Sequence, residues 1–258
     1  MSLQACADIV AKGDPDRFSA AMAAPVEARR VLFPLYAFNV EVARAPWVTE
    51  EPMIAEMRLQ WWRDALAEMG QGVAVRQHEV TTPLAEVLTN ETAAVLDKLV
   101  EARRWDIYND GFEDQDHFLE YLDATGGGLM WVAALLLGAD RRERIPESGV
   151  EDFVRRFGRA SAFVRFMQAA NQLKARGRTP LVDARDSKIA ELAKYHLDQI
   201  APEGAIRRHR NADSRPAILE GWQTHVLLRQ IVNDPSIVAA GQIGLSPFRK
   251  KLRLLRWS

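Results

Sequence analysis

This 258-residue sequence predicts an all-α fold: a helical bundle forming one domain over residues 1–258. Three observations lead there. Apolar residues recur at three- and four-residue spacing from Leu3 to Leu255, as on the buried stripe of an amphipathic helix. Proline and glycine punctuate these stretches, and no convincing run of alternating strands lies between them. No fixed-period repeat and no low-complexity linker divides the chain.

The elements follow in order. Asp14-Pro15 opens a helix through Ala24, with Asp14 as N-cap and Pro15 in the first turn. Pro25 restarts a helix toward Arg44, in which Val31, Leu35, Phe38 and Val42 share one face. Pro34 predicts a kink or break there, and Pro46 ends the helix. Glu51-Pro52 begins a helix through Met69, with Leu59, Trp62 and Leu66 on one face. A loop over 71–82 and a short helix from Thr82-Pro83 lead to a helix over Glu91–Ile107. Asn109 to Gly111 breaks the chain, and a helix over Asp114–Leu137 follows.

That helix carries Gly126, Gly127 and Gly128 in mid-pattern. Each costs about 1 kcal/mol against alanine, which predicts close backbone approach to a neighbour or a ligand. The longest periodic segment is Glu147–Ala175, and Ser187–Ile200, Arg215–Val232 and Pro247–Leu255 complete the set.

Composition narrows the function. Hydrophobic residues make up 48% and charged residues 27%, with a net charge of -1, so no global field favours nucleic acid. One cysteine, Cys6, excludes an internal disulfide and a cysteine-rich zinc site. The start of the chain lacks the basic-then-apolar pattern of a secretory signal, and no apolar run approaches the length of a membrane span. A cytoplasmic protein is the expectation, peripheral to the inner face of a membrane if the C-terminal segment 249–257 lies on it. That segment, basic and partly amphipathic, suits an anionic bilayer; a solvated helix with its apolar residues on the core is the preferred reading.

Several segments carry a family pattern in the right order: Leu35-Tyr36-Ala37-Phe38; Arg58, Trp62, Arg63 and Leu66; Ala102-Arg103-Arg104-Trp105-Asp106; Tyr121-Leu122-Asp123-Ala124-Thr125-Gly126-Gly127-Gly128-Leu129-Met130; Gly158-Arg159-Ala160; and Arg176-Gly177-Arg178-Thr179-Pro180-Leu181. From Phe18 to Phe248 the chain resembles the squalene/phytoene synthase family. The resemblance implies an isoprenoid-synthase bundle with a central cavity. It also implies two aspartate-rich helix segments facing each other there, each holding Mg²⁺ for an allylic diphosphate.

At the positions that resemblance assigns to the aspartates, this chain has Ala43, Arg44 and Trp47 in the first motif, and Ala169, Gln172 and Leu173 in the second. No acid pair at turn spacing survives, so no metal site and no cofactor are expected. Tyr36, Phe38, Arg63, Gly127, Arg165, Gln168 and Arg178 are the candidate cavity or anion-binding residues. Among them Arg63, Arg165 and Arg178 would receive an anionic head group without metal.

Other acids are weaker candidates. Asp106, Asp110 and Asp114 are four apart, but turn-forming residues interrupt them, so capping and loop roles are preferred. Glu41 stands one turn before Arg44 and is expected to pair with it. Asp183 and Asp186 are expected to cap a helix. The histidines His78, His117, His196, His209 and His225 show no ligand spacing. Arg207, Arg208 and Arg210 read as a basic loop.

Two readings result. In the first, the chain is a non-catalytic member acting by binding. It resembles the branch of the family that includes a mitochondrial complex I assembly factor, through Phe38-Asn39, the run Arg58-Leu59-Gln60-Trp61-Trp62-Arg63-Asp64-Ala65-Leu66, and Ala102-Arg103-Arg104 with Asp106, Tyr108 and Asp110. Its partners would be a prenyl lipid or phospholipid and respiratory complex subunits. In the second, the chain is an active head-to-head prenyltransferase making squalene or phytoene, with Mg²⁺ as cofactor.

Overall fold

A computed structural model describes residues 2–73, 75–139, 149–208 and 215–258. Every regular element among them is helical. The first are α1 (Leu3–Gly13), α2 (Pro15–Ala23), α3 (Arg29–Arg44), α4 (Pro52–Gln71), α5 (Thr81–Ala85) and α6 (Asn90–Ala102). They are followed by α7 (Gln115–Leu122), α8 (Gly128–Leu136), α9 (Gly149–Ala175) and α10 (Asp186–Gln199). The last are α11 (Glu203–Arg208), α12 (Arg215–Ile218), α13 (Thr224–Asn233), α14 (Ser236–Ala239) and α15 (Pro247–Trp257). None of the described helices is long and apolar enough to cross a membrane.

Local chemistry sets the boundaries. Asp14 accepts a hydrogen bond from the Arg17 N–H and caps α2, with Pro15 in its first turn. Thr89 and Thr92 cap α6 reciprocally. α4 ends on Gly72, whose left-handed φ of 67° favours a residue without Cβ. α3 runs unbroken through Pro34, where a kink or break is predicted. Pro34 stands in the second turn, and buried Leu32, Phe33, Leu35 and Tyr36 around it hold the helix to the core.

Three predicted helices are divided, two of them where a carboxylate turns inward. Glu91–Ile107 becomes α6 plus a 3₁₀ turn over Arg103–Asp106, which buries Asp106. Arg215–Val232 becomes α12, a 3₁₀ turn over Leu219–Gly221, and α13. That turn buries Glu220 and sets Gly221 against the Phe157 ring, where a Cβ would come within 2.4 Å. In Asp114–Leu137 a π-helical turn over Asp123–Gly127 joins α7 to α8.

The glycine segment meets a neighbouring helix. A Cβ on Gly126 would stand 2.3 Å from the Ala162 Cβ and 2.7 Å from the Gly158 carbonyl oxygen, both on α9. Gly158 reciprocates, 2.6 Å from the Gly126 carbonyl oxygen. Gly127 instead faces the flexible Asp123 carboxylate and the Arg155 carbonyl. The tightest approach is therefore Gly126 on the Gly158–Ala162 turn of α9.

A contiguous apolar core runs from Cys6 on α1 to Trp257 on α15. α1 packs on α3, α4 on α6, α8 on α9 and α10 on α13. Cys6 is fully buried, and burial first, then Glu79, pushes its thiol up to about 11, so it is inert packing. His196 and His225 are core residues too. His78 packs edge-on against Trp61 and Trp62, while His209 lies outside the described residues. Asp183 pairs with Arg185, and Asp186 is the first residue of α10, so neither side chain caps that helix. Arg207 belongs to α11, and Arg210 lies outside the described residues.

Candidate functional site: a central cavity with arginines at its mouth

A cavity of about 560 Å³ lies between α2, α3, α7 and α9, within the size range of small-molecule sites. Helical spacing explains its lining. Asn39, Val40, Ala43 and Arg44 form one face of α3, which Trp47 continues. Ala162, Arg165, Phe166, Ala169, Gln172 and Leu173 form one face of α9, and Arg176 extends it. The two segments where aspartate pairs were expected thus face one space, and Ala43, Arg44, Trp47, Ala169, Gln172 and Leu173 all line it.

Of the other candidate residues, the structure brings only Arg165 and Gln168 to this lining. Tyr36 lies one layer behind, 1% exposed, with the Arg17 guanidinium 5.5 Å above its ring. Phe38 points away and meets Trp62 edge-on at 5.4 Å. Arg63 lines a separate surface groove, held by Asp97 at 2.7 Å and by Glu101. Gly127 sits in the π-helical turn. Arg178 is buried beneath Trp47 and donates to the Trp105 and Asp106 carbonyls. Arg63 and Arg178 are thus spoken for, and the exposed cations of the cavity lie elsewhere.

Two ion-pair clusters build the cavity wall. In the first, Arg17 and Arg165 share Asp14 and Glu220: Arg17 bonds Asp14 at 3.0 Å and Glu220 at 2.6 Å, and Arg165 bonds them at 3.0 and 3.1 Å. Burial alone would raise the Asp14 carboxyl, but Arg165 and Arg17 outweigh it and hold it at about 2. In the second, Asp106 is 3% exposed, pairs with Arg103 at 3.2 Å and accepts from the Tyr121 hydroxyl at 3.1 Å. Asp106 is therefore neither a cap nor a loop residue. Asp110 lines the separate groove and Asp114 caps α7, so the three acids share no site.

A third lining acid, Asp16, pairs with Lys250 of α15 at 2.9 Å. Each acid lining the cavity thus has a cationic partner, and two cations remain at the mouth. Arg44 keeps 61% of its side chain exposed and stands 3.5 Å from Glu41, its expected helix partner. Arg176 is exposed, has no carboxylate partner among the described residues, and stacks 4.9 Å over Trp47. Trp47 holds Arg178 on its ring as well, at 5.1 Å, so the mouth is fixed by cation–π contacts. Deeper in, the Asn39 side-chain oxygen and the Arg103 Nε are buried without a hydrogen-bond partner among the described residues. Such orphaned groups beside a polar cavity call for water or a ligand.

These donors do not fit the magnesium cluster that the fold family implies. Mg²⁺ needs several carboxylate or water oxygens in near-octahedral array. Here the motif positions carry methyl, guanidinium, indole, amide and isobutyl groups, and the remaining acids are bound to arginine or lysine. Among the described residues no group of three His, Cys, Asp or Glu side chains is placed to hold a metal ion.

Sequence reasoning read Asp14 only as a cap and did not single out Arg17 or Glu220. The Asp14–Arg17 spacing signals a local pair. Glu220 lies 203 residues from Arg17 and has no sequence signal.

Comparison with known proteins supports the same lineage. The chain is 22% identical over 231 residues to human NADH dehydrogenase (ubiquinone) complex I, assembly factor 6, covering 87% of this chain and 63% of that protein. It is 30% identical over 132 residues to the Drosophila melanogaster homolog of that factor, covering 48% of this chain and 39% of the other. It thus spans just under two thirds of the human relative's length. In fold it is similar to a dehydrosqualene synthase crystal structure, with a TM-score of 0.70 at 15% identity over 99% of this chain and 94% of the other. It is also similar to a squalene synthase from Alicyclobacillus acidocaldarius, with a TM-score of 0.64 at 14% identity over 94% and 95% of the two chains. Residues 10–183 match the family described as squalene/phytoene synthase, and the chain belongs to that family.

Proposed function

We propose that this protein is a non-catalytic member of its family that binds an anionic prenyl lipid or phospholipid in the central cavity, in the service of respiratory-complex assembly. The observation that carries the reading is the chemistry of the two facing motif segments. Where an allylic diphosphate would need carboxylates to hold its metals, the cavity presents Ala43, Arg44, Trp47, Ala169, Gln172 and Leu173. Arg44 and Arg176 at the mouth suit a phosphate head group bound directly, through charge-assisted hydrogen bonds. The apolar part of the lining suits a hydrocarbon chain. The assembly role rests on similarity to the complex I assembly factors, and the partner subunits belong to that same proposal.

The catalytic alternative draws on the similarity of fold to squalene and dehydrosqualene synthases. One pair of measurements separates the two. Mass spectrometry of a solvent extract of the purified protein is expected to show a co-purifying anionic prenyl lipid or phospholipid, lost in the variant Arg44→Glu with Arg176→Glu. Incubation with farnesyl or geranylgeranyl diphosphate, Mg²⁺ and NADPH is expected to give no hydrocarbon above a boiled control. Squalene or phytoene formation would overturn the proposal, as would a lipid-free extract.

A further inference from the structure

Helix α15 is anchored on one side and bare on the other. On the inner side Lys250 pairs with Asp16 at 2.9 Å, and Arg253 pairs with Glu203 at 2.7 Å while donating to the Trp222 carbonyl at 2.6 Å. Trp257 is 4% exposed, stacks on the Phe157 ring and donates to Glu203 at 3.0 Å. On the outer side stand Phe248, Leu252 and Leu255, which are 75%, 39% and 74% exposed. Their spacing of four and three residues places them on one helical face. The preferred sequence reading put the apolar residues of this segment on the core; the structure does so for Leu254 and Trp257 and leaves these three outside.

The charges complete the pattern. Arg249, Lys251 and Arg256 are exposed beside the apolar residues and have no carboxylate partner among the described residues. Pro247–Trp257 contains no acid. We propose that α15 lies flat on an anionic lipid bilayer, with Phe248, Leu252 and Leu255 in the boundary between head groups and acyl chains and the three cations on lipid phosphates. Charge complementarity selects this occupant. Bulky apolar side chains flanked by exposed cations on one helix match an interface that is apolar inside and anionic outside.

Docking there has a consequence for the cavity. Lys250 reaches from α15 to Asp16, and Asp16 lines the cavity. A bilayer under α15 therefore sits close to the cavity wall formed by the start of α2. The docking itself requires no ligand in the cavity, so it goes beyond the lipid-binding reading.

Co-sedimentation with vesicles tests it. The full chain is expected to sediment with vesicles of mixed phosphatidylcholine and phosphatidylglycerol, to be released by salt, and to bind pure phosphatidylcholine far less. The double variant Phe248→Glu with Leu255→Glu should lose about tenfold or more in affinity. Replacing Arg249, Lys251 and Arg256 by Gln should cost about fivefold per charge. All five positions are exposed, and far-UV circular dichroism checks that the variants stay folded. The Arg44→Glu, Arg176→Glu variant should keep vesicle binding while losing any co-purified lipid, which separates this proposal from the cavity reading. The proposal is overturned by absence of binding to the mixed vesicles, or by variants that bind as wild type. A light-scattering result in which Phe248→Glu, Leu255→Glu dissolves a dimer would overturn it as well, since a second copy would then cover the face.

Discussion

Replacing Asp14 by asparagine tests the charge balance of the cavity wall. Asp14 is one of two carboxylates shared by Arg17 and Arg165, and its side chain is 13% exposed. Asparagine keeps the size and can still accept the Arg17 N–H that caps α2, so the substitution removes charge and leaves the cap. Breaking a buried ion pair costs about 3–5 kcal/mol, less here because Glu220 continues to serve both arginines.

Proton linkage gives a similar size. A carboxyl held at about 2 in the folded protein, against an ordinary value of about 3.9, contributes about 2.5 kcal/mol near neutral pH. At about 2–4 °C per kcal/mol for a chain of this size, the melting temperature should fall by about 5–10 °C. Because the folded value lies below the unfolded one, this stabilisation is complete above about pH 4 and is lost as pH falls through about 2. The variant should lack that dependence. Removing the anion also releases guanidinium charge into the cavity, so isothermal titration with dodecyl phosphate should show tighter binding, by about fivefold or more. Asp16→Asn, which breaks a partly exposed pair with Lys250, is the control and should cost less than about 1 kcal/mol. An unchanged melting temperature in Asp14→Asn, or an equal fall in Asp16→Asn, would refute the reasoning.

Three further outcomes are expected. Gly126→Ala should destabilise by about 1–3 kcal/mol, because its Cβ would overlap Ala162 and the Gly158 carbonyl; Gly127→Leu should cost at least as much, and an unchanged thermal melt in either removes the packing argument. Burial first, then Arg159, pushes the His196 imidazole down to about 3; the unfolded chain takes up this proton near pH 6.5, so urea titrations should show about 2 kcal/mol lost between pH 7 and 5, and His196→Leu should flatten that slope. Calorimetric titration with farnesyl diphosphate should give an affinity that Mg²⁺ does not raise; micromolar, Mg²⁺-dependent binding would count against the reading of Ala43, Arg44, Trp47, Ala169 and Leu173 as departed metal positions.

Much of the architecture was legible because apolar periodicity and caps are local. α3, α4 and α9 follow from residues three and four apart, and α2 from Asp14-Pro15. The facing of 43–47 with 169–173 followed from family resemblance, and the cavity lining agrees with it. What stayed hidden depends on partners distant in sequence. Nothing near Glu220 reveals that it closes a pair with Arg17, and nothing near Arg63 and Arg178 reveals Asp97 or the Asp106 carbonyl. Two of the divided helices have the same origin. The segments around Asp106 and Glu220 read as continuous helix by propensity, yet both carboxylates are turned inward to meet arginines.

The distribution of charge bears on which anion the cavity would hold under the binding reading. An ordinary synthase site must compensate a diphosphate, and metals supply most of that charge. Here the deep arginines cannot do so, since Arg17 and Arg165 already share two carboxylates and Arg103 holds Asp106. Drawing them onto a ligand would strand buried acids, at a cost of several kcal/mol each. The remaining positive charge is Arg44 and Arg176 at the mouth, one loosely paired and one unpaired among the described residues. Two guanidinium groups balance a phosphomonoester or a phosphodiester, and fall short of a diphosphate. Trp47 and Leu173 also occupy space that smaller side chains would leave to a ligand. Under that reading the arrangement favours a single phosphate at the rim with its chain directed inward, and disfavours a diphosphate.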